Sequence, residues 1–312
     1  MTAAPPVDLT GKVALVTGAT GGMGQVIVTT LASLGATVMI VARSQAAGDR
    51  LRHQVSQQVG ADRVEVLTAD LASRPDLHRL AADVTARHPT LDLLINNAGA
   101  HYRDRTLDAD GVEMHIAVNH LAPFTLTNLL LDPLRAAAPA RIVTVVSDAF
   151  SDTRQVKILP RPRRVQLDVG HLDDLTDLNP ADRFDPFPAY ARAKLLTLMC
   201  GYLLAERLRG TGVTLNAVHP GLVDTGILND IAPTYARPFL APVRRMLLTP
   251  TEGAQAALHL ATAPELAEVT GRYFIRDREA RSPEMSYDPQ LQQRIWDLST
   301  TYATAPTTNH NA

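Results

Sequence analysis

Tyr190 and Lys194 stand four positions apart in FPAYARAKLL, residues 187–196, an Ala/Leu-rich run whose composition predicts a helix. At i and i+4 they share one helix face. A free tyrosine has a pKa of about 10 and is almost entirely phenol at neutral pH. An ammonium close by in a partly desolvated pocket favours the phenolate, and Tyr190 then becomes a usable general acid/base. The use of lysine is itself informative. Of 30 basic residues only Lys12, Lys157 and Lys194 are lysine, and a compact ammonium with three donors does work that a wide guanidinium does not. Arg192, two positions away and off that face, reads as a site any cation could fill. Taken alone, a Tyr/Lys pair at this spacing is also ordinary surface decoration of a helix, so the reading depends on what surrounds it.

A second candidate is TGATGGMG, Thr17 to Gly24, which follows the apolar run KVALVTG and opens a helix expected over Gly22 to Leu34. A glycine-rich turn lets the backbone approach a pyrophosphate, and a helix N-terminus offers unpaired N–H groups and the positive end of the dipole. Gly18, Thr20, Gly22, Met23 and Gly24 are the binding candidates here. The plainer alternative is a tight strand-to-helix turn with no ligand.

The elements that must position these residues alternate along the chain. ATVMIVA, RVEVLTA, LDLLINNA, RIVTVVS and VTLNAVHP read as buried strands. Helices are expected over Gln45 to Val59, from near Pro75, over Gly111 to Ala137, around Tyr190 and over Thr251 to Ala261. Apolar runs separated by helices mean parallel strands covered on both faces. The fold class is therefore α/β, a doubly wound Rossmann-like sheet of about seven strands in one domain over residues 1–300. The alternation breaks at 151–188, a proline-rich insertion with a basic patch (Arg161, Arg163, Arg164) and an acidic one (Asp168, Asp173, Asp174, Asp177), too long for an ordinary connection. Residues 221–248, with Ile227, Leu228, Ile231, Tyr235, Phe239 and Leu240, are expected to cap a substrate pocket, or to pack beneath a loop or subunit contact. The polar end, STTYATAPTTNHNA, is expected to fray, with 301–312 a disordered tail.

The spacing of Gly18, Gly22 and Gly24, T-G-x-x-x-G-x-G, resembles the short-chain dehydrogenase/reductase family, and NNAG at Asn96 to Gly99 falls where that family has it. The resemblance spans roughly Leu9 to Tyr273. LDADGVEMHIAVNHLAPFTLTNLLL and DLNPADRFDPFPAYARAKL resemble its retinol-dehydrogenase-like and protochlorophyllide-reductase-like branches, which also carry a long segment before the tyrosine. The resemblance implies an Asn119, Ser147, Tyr190, Lys194 tetrad. Ser147 would bond the substrate oxygen, Tyr190 would transfer its proton, Lys194 would hold the nicotinamide ribose, and Asn119 would hold a water that joins Lys194 to solvent. It also implies nucleotide contacts from Asp70, on adenine, and from Leu71, Asn97, Ala98, Gly99, Pro220, Gly221, Val223 and Thr225. Ser147 also reads as an ordinary strand end and Asn119 as a core-satisfied or helix-bending amide. Val146 stands where relatives often have a second serine, and Thr144 should point into the sheet, which leaves Ser147 as the hydroxyl candidate. A homodimer or homotetramer through the helices of Asn119 and Tyr190 is implied in the same way.

The second strand ends VARS, with Ala42 and Arg43 and no carboxylate for a ribose 2′-hydroxyl. A cation there suits a 2′-phosphate, so NADP(H) is expected over NAD(H). A merely solvated Arg43 is the alternative. A net charge of -2 and a pI of about 6.5 give no footprint for nucleic acid. Cys200 as the one cysteine excludes an intrachain disulfide framework. The N-terminus lacks a secretion signal and no apolar run approaches a membrane span, so a cytoplasmic chain without membrane insertion is expected. His101, His115, His120 and His219 have no partners at metal-ligand spacing. They are read as structural, with His101 lining the pocket, and no metal is expected. The functional expectation is oxidoreduction of a ketone or aldehyde and an alcohol on an apolar or aromatic small molecule. The alternatives are a dehydration, epimerisation or cyclisation on the same scaffold, and a nucleotide-sensing protein without turnover.

Overall fold

Val13 and Leu15 pack into one apolar layer while Ala14 and Val16 pack into another, and Val38/Ile40 and Met39/Val41 divide in the same way. Strands buried on both faces follow from that period of two. In the computed structural model, which describes residues 7–151, 174–224 and 247–305, the strands are β1 (Val13–Val16), β2 (Thr37–Ala42), β3 (Val64–Thr68), β4 (Leu93–Asn96), β5 (Ala140–Val145), β6 (Val213–His219), β7 (Tyr273–Ile275) and β8 (Arg278–Ala280). They form one sheet in the order β3-β2-β1-β4-β5-β6-β7-β8. β8 is antiparallel to β7, whereas β6 and β7 are parallel. The expected count of about seven becomes eight because Arg276, at φ 58°, and Asp277 turn the chain back on β7. A strand of three residues with little buried surface leaves no apolar run to read.

One layer holds α1 (Gly22–Ser33), α2 (Gln45–Val59) and α8 (Pro250–Thr262). The other holds α3 (Arg74–Arg87), α5 (Ala122–Leu129), α6 (Leu131–Ala136) and α7 (Pro186–Arg207). Ser44 caps α2 and Ser73 caps α3, while Thr249 and Glu252 form a capping box on α8.

The single helix expected over Gly111 to Ala137 is instead divided. Gly111 sits in a turn at φ 81°. α4 (Met114–Ile116) leads through a π turn (Ala117–Leu121) into α5, and the helix breaks again at Leu130. Pro123 has no N–H to give to the carbonyl four residues back, that of Asn119. Thr197 Oγ1 on α7 donates to this carbonyl at 2.7 Å.

The C-terminal end also departs from expectation. α9 (Pro289–Thr304) runs through all of STTYAT. Leu291 and Ile295 bury in the same apolar cluster as Leu195 and Leu198 of α7, and Trp296 meets Phe124 edge-on at 4.8 Å. Arg74 donates to Tyr302 O and Ala305 O, and Tyr302 Oη donates to Asp108. Only 306–312 of the expected tail lies outside the described residues. α9 therefore lies against α5 and α7, the helices to which the resemblance assigns a subunit contact. No described helix is long and apolar enough to cross a membrane.

Candidate active site

The strand order reverses between β1 and β4, and a crevice for ligands opens beyond the C-terminal ends of such strands. The turns leaving these two strands are stitched together. Asn97 Nδ2 donates to Thr17 O and Gly18 O, each at 3.1 Å, and Thr17 Oγ1 accepts from Ala98 N at 3.1 Å. Gly18, at φ 63°, passes so close that a Cβ there would sit 2.7 Å from Ala98 Cα, and one on Gly24 would sit 2.1 Å from Gly18 O. Side chains at either position would wedge the crevice apart. Gly21, the N-cap of α1, makes no side-chain cap and the first turn carries no acid. The helix end is thus left to an anion, and the cradle fits a dinucleotide pyrophosphate.

The other expected nucleotide residues gather on the same edge of the sheet. Arg43 is exposed just past β2. Asp70 and Leu71 follow β3, where Asp70 N donates to Asp76. Tyr102 feels both Asp70 and Arg43: burial pushes its pKa up, Asp70 adds to this and Arg43 opposes it. Pro220, Gly221 and Val223 follow β6. A Cβ on Gly253 would meet Val223 at 2.5 Å and Met23 Sδ at 2.9 Å, so Val223 lies over the glycine turn. Thr225 lies outside the described residues, as do 152–173 of the insertion and 225–246 of the expected capping segment, including its apolar residues.

Ser147 lies just past β5, where its side chain acts on that of Tyr190 on α7. Lys194, one turn on and 3 % exposed, donates from Nζ to Val145 O at 3.0 Å. A Cβ on Gly99 would lie 3.2 Å from both Lys194 Nζ and Asn119 Oδ1. Asn119 and Lys194 therefore meet beside Gly99, with Tyr190 one turn before Lys194 on α7 and Ser147 two residues past the carbonyl that Lys194 bonds.

Two of these residues show detail beyond the expectation. Asn119 is tied to backbone at both side-chain atoms: Oδ1 accepts from Ala100 N at 3.0 Å and Nδ2 donates to Ala100 O at 2.8 Å. It is a strut that fixes the segment after NNAG. Lys194 also does not lower the pKa of Tyr190. Burial pushes Tyr190 up to about 12, with only Ser147 opposing, and burial pushes Lys194 down to about 8. Desolvation dominates at both groups.

A polar cluster beside the tetrad was not foreseen. Glu113 Oε1 accepts from His115 Nδ1 at 2.8 Å and from His115 N at 3.0 Å, and Oε2 accepts from Asn179 Nδ2 at 2.7 Å. Burial pushes the Glu113 carboxyl up, but these bonds outweigh it and hold its pKa below the usual range. Arg192 Nε donates to Asn179 Oδ1 at 2.8 Å, and Arg105 Nε donates to Asn179 O at 2.8 Å. Arg192 is therefore a specific anchor, contrary to the expectation that any cation would serve. It locks the returning end of the insertion onto α7. The readable signal was Glu113 two residues before His115; Asn179 on a distant segment carried none. Among the described residues no group of three or more His, Cys, Asp or Glu is placed to hold a metal ion.

Against known proteins, the short chain dehydrogenase family model matches residues 12–157. Retinol dehydrogenase 14 of Mus musculus is 35 % identical over 301 residues, covering 93 % of this chain and 85 % of that one. Polyprenol dehydrogenase of Danio rerio is 34 % identical over 298 residues, covering 93 % and 86 %. Among solved structures, the Pseudomonas aeruginosa RhlG/NADP active-site complex superposes with a TM-score of 0.64 at 26 % identity, over 86 % of this chain and 96 % of that one.

Proposed function

The chain belongs to the short-chain dehydrogenase/reductase family, in its retinol-dehydrogenase-like branch, and from that premise we propose that it is an NADP(H)-dependent oxidoreductase interconverting a small-molecule ketone or aldehyde and its alcohol, with Tyr190 as general acid/base. The observation that carries this reading is the meeting of Lys194 Nζ and Asn119 Oδ1 beside Gly99, with Ser147 close enough to Tyr190 to act on its hydroxyl.

The glycine turn and the open N-terminus of α1 would hold the pyrophosphate, and Lys194 would hold the nicotinamide ribose. When bound, the reduced nicotinamide supplies the hydride that reaches the carbonyl carbon. Ser147 orients the carbonyl oxygen toward Tyr190. Burial keeps Tyr190 protonated at neutral pH, the state needed to donate to an oxygen that gains negative charge. Asn119 fixes the Gly99–Ala100 backbone against which the reacting groups sit. In the oxidative direction Tyr190 must first lose its proton, a loss that the positive charge of an oxidised nicotinamide would favour.

Arg43 supports NADP(H): an exposed guanidinium at the end of β2 can fork onto a 2′-phosphate. The RhlG structure with NADP is consistent with this. The relatives named for retinol and polyprenol favour an apolar substrate body. The test is nucleotide consumption against a panel of ketones and aldehydes with NADPH and with NADH. Faster consumption with NADPH supports the reading. Product formed with no net nucleotide consumption would instead mean a dehydration, epimerisation or cyclisation.

A further inference from the structure

His101 is buried beside Tyr190 with nothing to bond. It is 6 % exposed, and neither Nδ1 nor Nε2 has a hydrogen-bond partner. A neutral imidazole carries one donor and one acceptor, and leaving a buried polar group unpaired costs about 1–3 kcal/mol. A phenylalanine would fill the same space without that cost, so a histidine here calls for another explanation.

Its neighbours cannot supply the missing bonds. The His115 ring meets it edge-on with centroids 5.3 Å apart. His115 Nδ1 is engaged by Glu113, and its Nε2 accepts from Tyr102 N at 3.0 Å. Both Glu113 oxygens are also engaged. The backbone is fixed on either side of His101, at Ala100 by Asn119 and at Tyr102 by His115. The imidazole is thus held in one place, with its ring centroid 5.9 Å from that of Tyr190.

We propose that His101 is a specificity-determining residue whose ring hydrogen-bonds a second oxygen of the substrate, so that the preferred substrates are hydroxyketones or vicinal diketones rather than plain ketones. The proposal rests on the oxidoreductase reading above. The short span between the two rings sets the position of that oxygen: a molecule that reaches Tyr190 with its reacting oxygen can reach His101 only with an atom close to the reacting carbon. A neutral imidazole donates to a carbonyl or accepts from a hydroxyl, so either oxygen type fits. A carboxylate does not suit it, because burial, with His115 and Arg103, pushes the His101 pKa down to about 4 and keeps the ring uncharged. The site would then be an apolar pocket with one polar contact placed to select.

The experiment measures kcat/KM with NADPH and with NADH for two pairs that differ by one oxygen, benzoin with deoxybenzoin and diacetyl with butanone. It is run on the wild type and on His101→Phe, His101→Leu and His101→Asn. Intrinsic reactivity cancels when the ratio within a pair is compared between proteins. The ratio should fall at least about tenfold in His101→Phe and His101→Leu, as a site loses discrimination when it loses its bonding group, and recover in part in His101→Asn. Thermal melting shows whether each variant is folded, and the apolar ones should melt no lower than the wild type. An unchanged ratio in a folded His101→Phe or His101→Leu overturns the proposal and leaves the oxidoreductase reading standing. If the wild type consumes nucleotide with none of the four ketones but does so with other carbonyl compounds, the proposal alone fails. If it consumes nucleotide with no carbonyl compound at all, both fail.

Discussion

Glu113 and His115 form a buried pair, Oε1 to Nδ1 at 2.8 Å, with side chains 1 % and 0 % exposed. The pair sits between the tetrad and the returning end of the insertion, because Asn179 closes onto the other Glu113 oxygen. Glu113→Ala leaves His115 and Asn179 without their acceptor, and breaking a buried network of this kind costs about 3 kcal/mol or more. Urea unfolding should show that loss, and Glu113→Gln, which keeps an acceptor, should show less of it. Equal stability of Glu113→Ala and wild type would contradict the role. The Glu113 pKa is held below its unfolded value, so its contribution is present above that unfolded value and is lost as pH falls through the folded one.

Two buried histidines set a second pH dependence. Burial, for His101 aided by His115 and Arg103, pushes the His101 pKa down to about 4, and burial pushes His120 down to about 3. An unfolded histidine titrates near about 6.5, so below that pH the unfolded chain binds more protons than the folded one. Each group then lowers stability by about 1.4 kcal/mol per pH unit until its folded value is reached. The urea midpoint should fall between about pH 7 and about pH 5, and His101→Phe should make the fall shallower by one group's share. Identical slopes would contradict the assignment of His101.

Arg43 carries the nucleotide preference. Arg43→Ala should raise KM for NADPH by at least about tenfold, the scale of a lost charge-assisted bond, and move KM for NADH little. Similar changes for both nucleotides would place Arg43 away from the 2′-phosphate.

Much of this arrangement could be read from the chain, for identifiable reasons. The glycine turn, the strand ends and the Tyr190/Lys194 pair are local patterns, and local patterns survive in a linear string. The π turn at Asn119 was hidden because it depends on a missing N–H at Pro123 being answered by Thr197 from another helix. The bonds from Asn179 to Glu113 and from Asn119 to Ala100 join segments whose spacing carries no period. α9 looked like a fraying polar tail because what anchors it lies elsewhere: Arg74 and Asp108 hold its end, and α7 buries its apolar face. The expected direction of the Tyr190 pKa failed for a related reason, since spacing places an ammonium near a phenol but does not say how deeply both are buried.

The central claim is that Tyr190 transfers the proton in a carbonyl reduction driven by NADPH. The most direct measurement is Tyr190→Phe, with turnover followed by the near-ultraviolet absorbance of reduced nicotinamide and NADPH affinity measured by direct binding. Turnover should fall at least about a hundredfold, the scale of a lost general acid, while NADPH affinity stays close to that of the wild type. Near-normal turnover by a folded Tyr190→Phe that still binds NADPH would contradict the account.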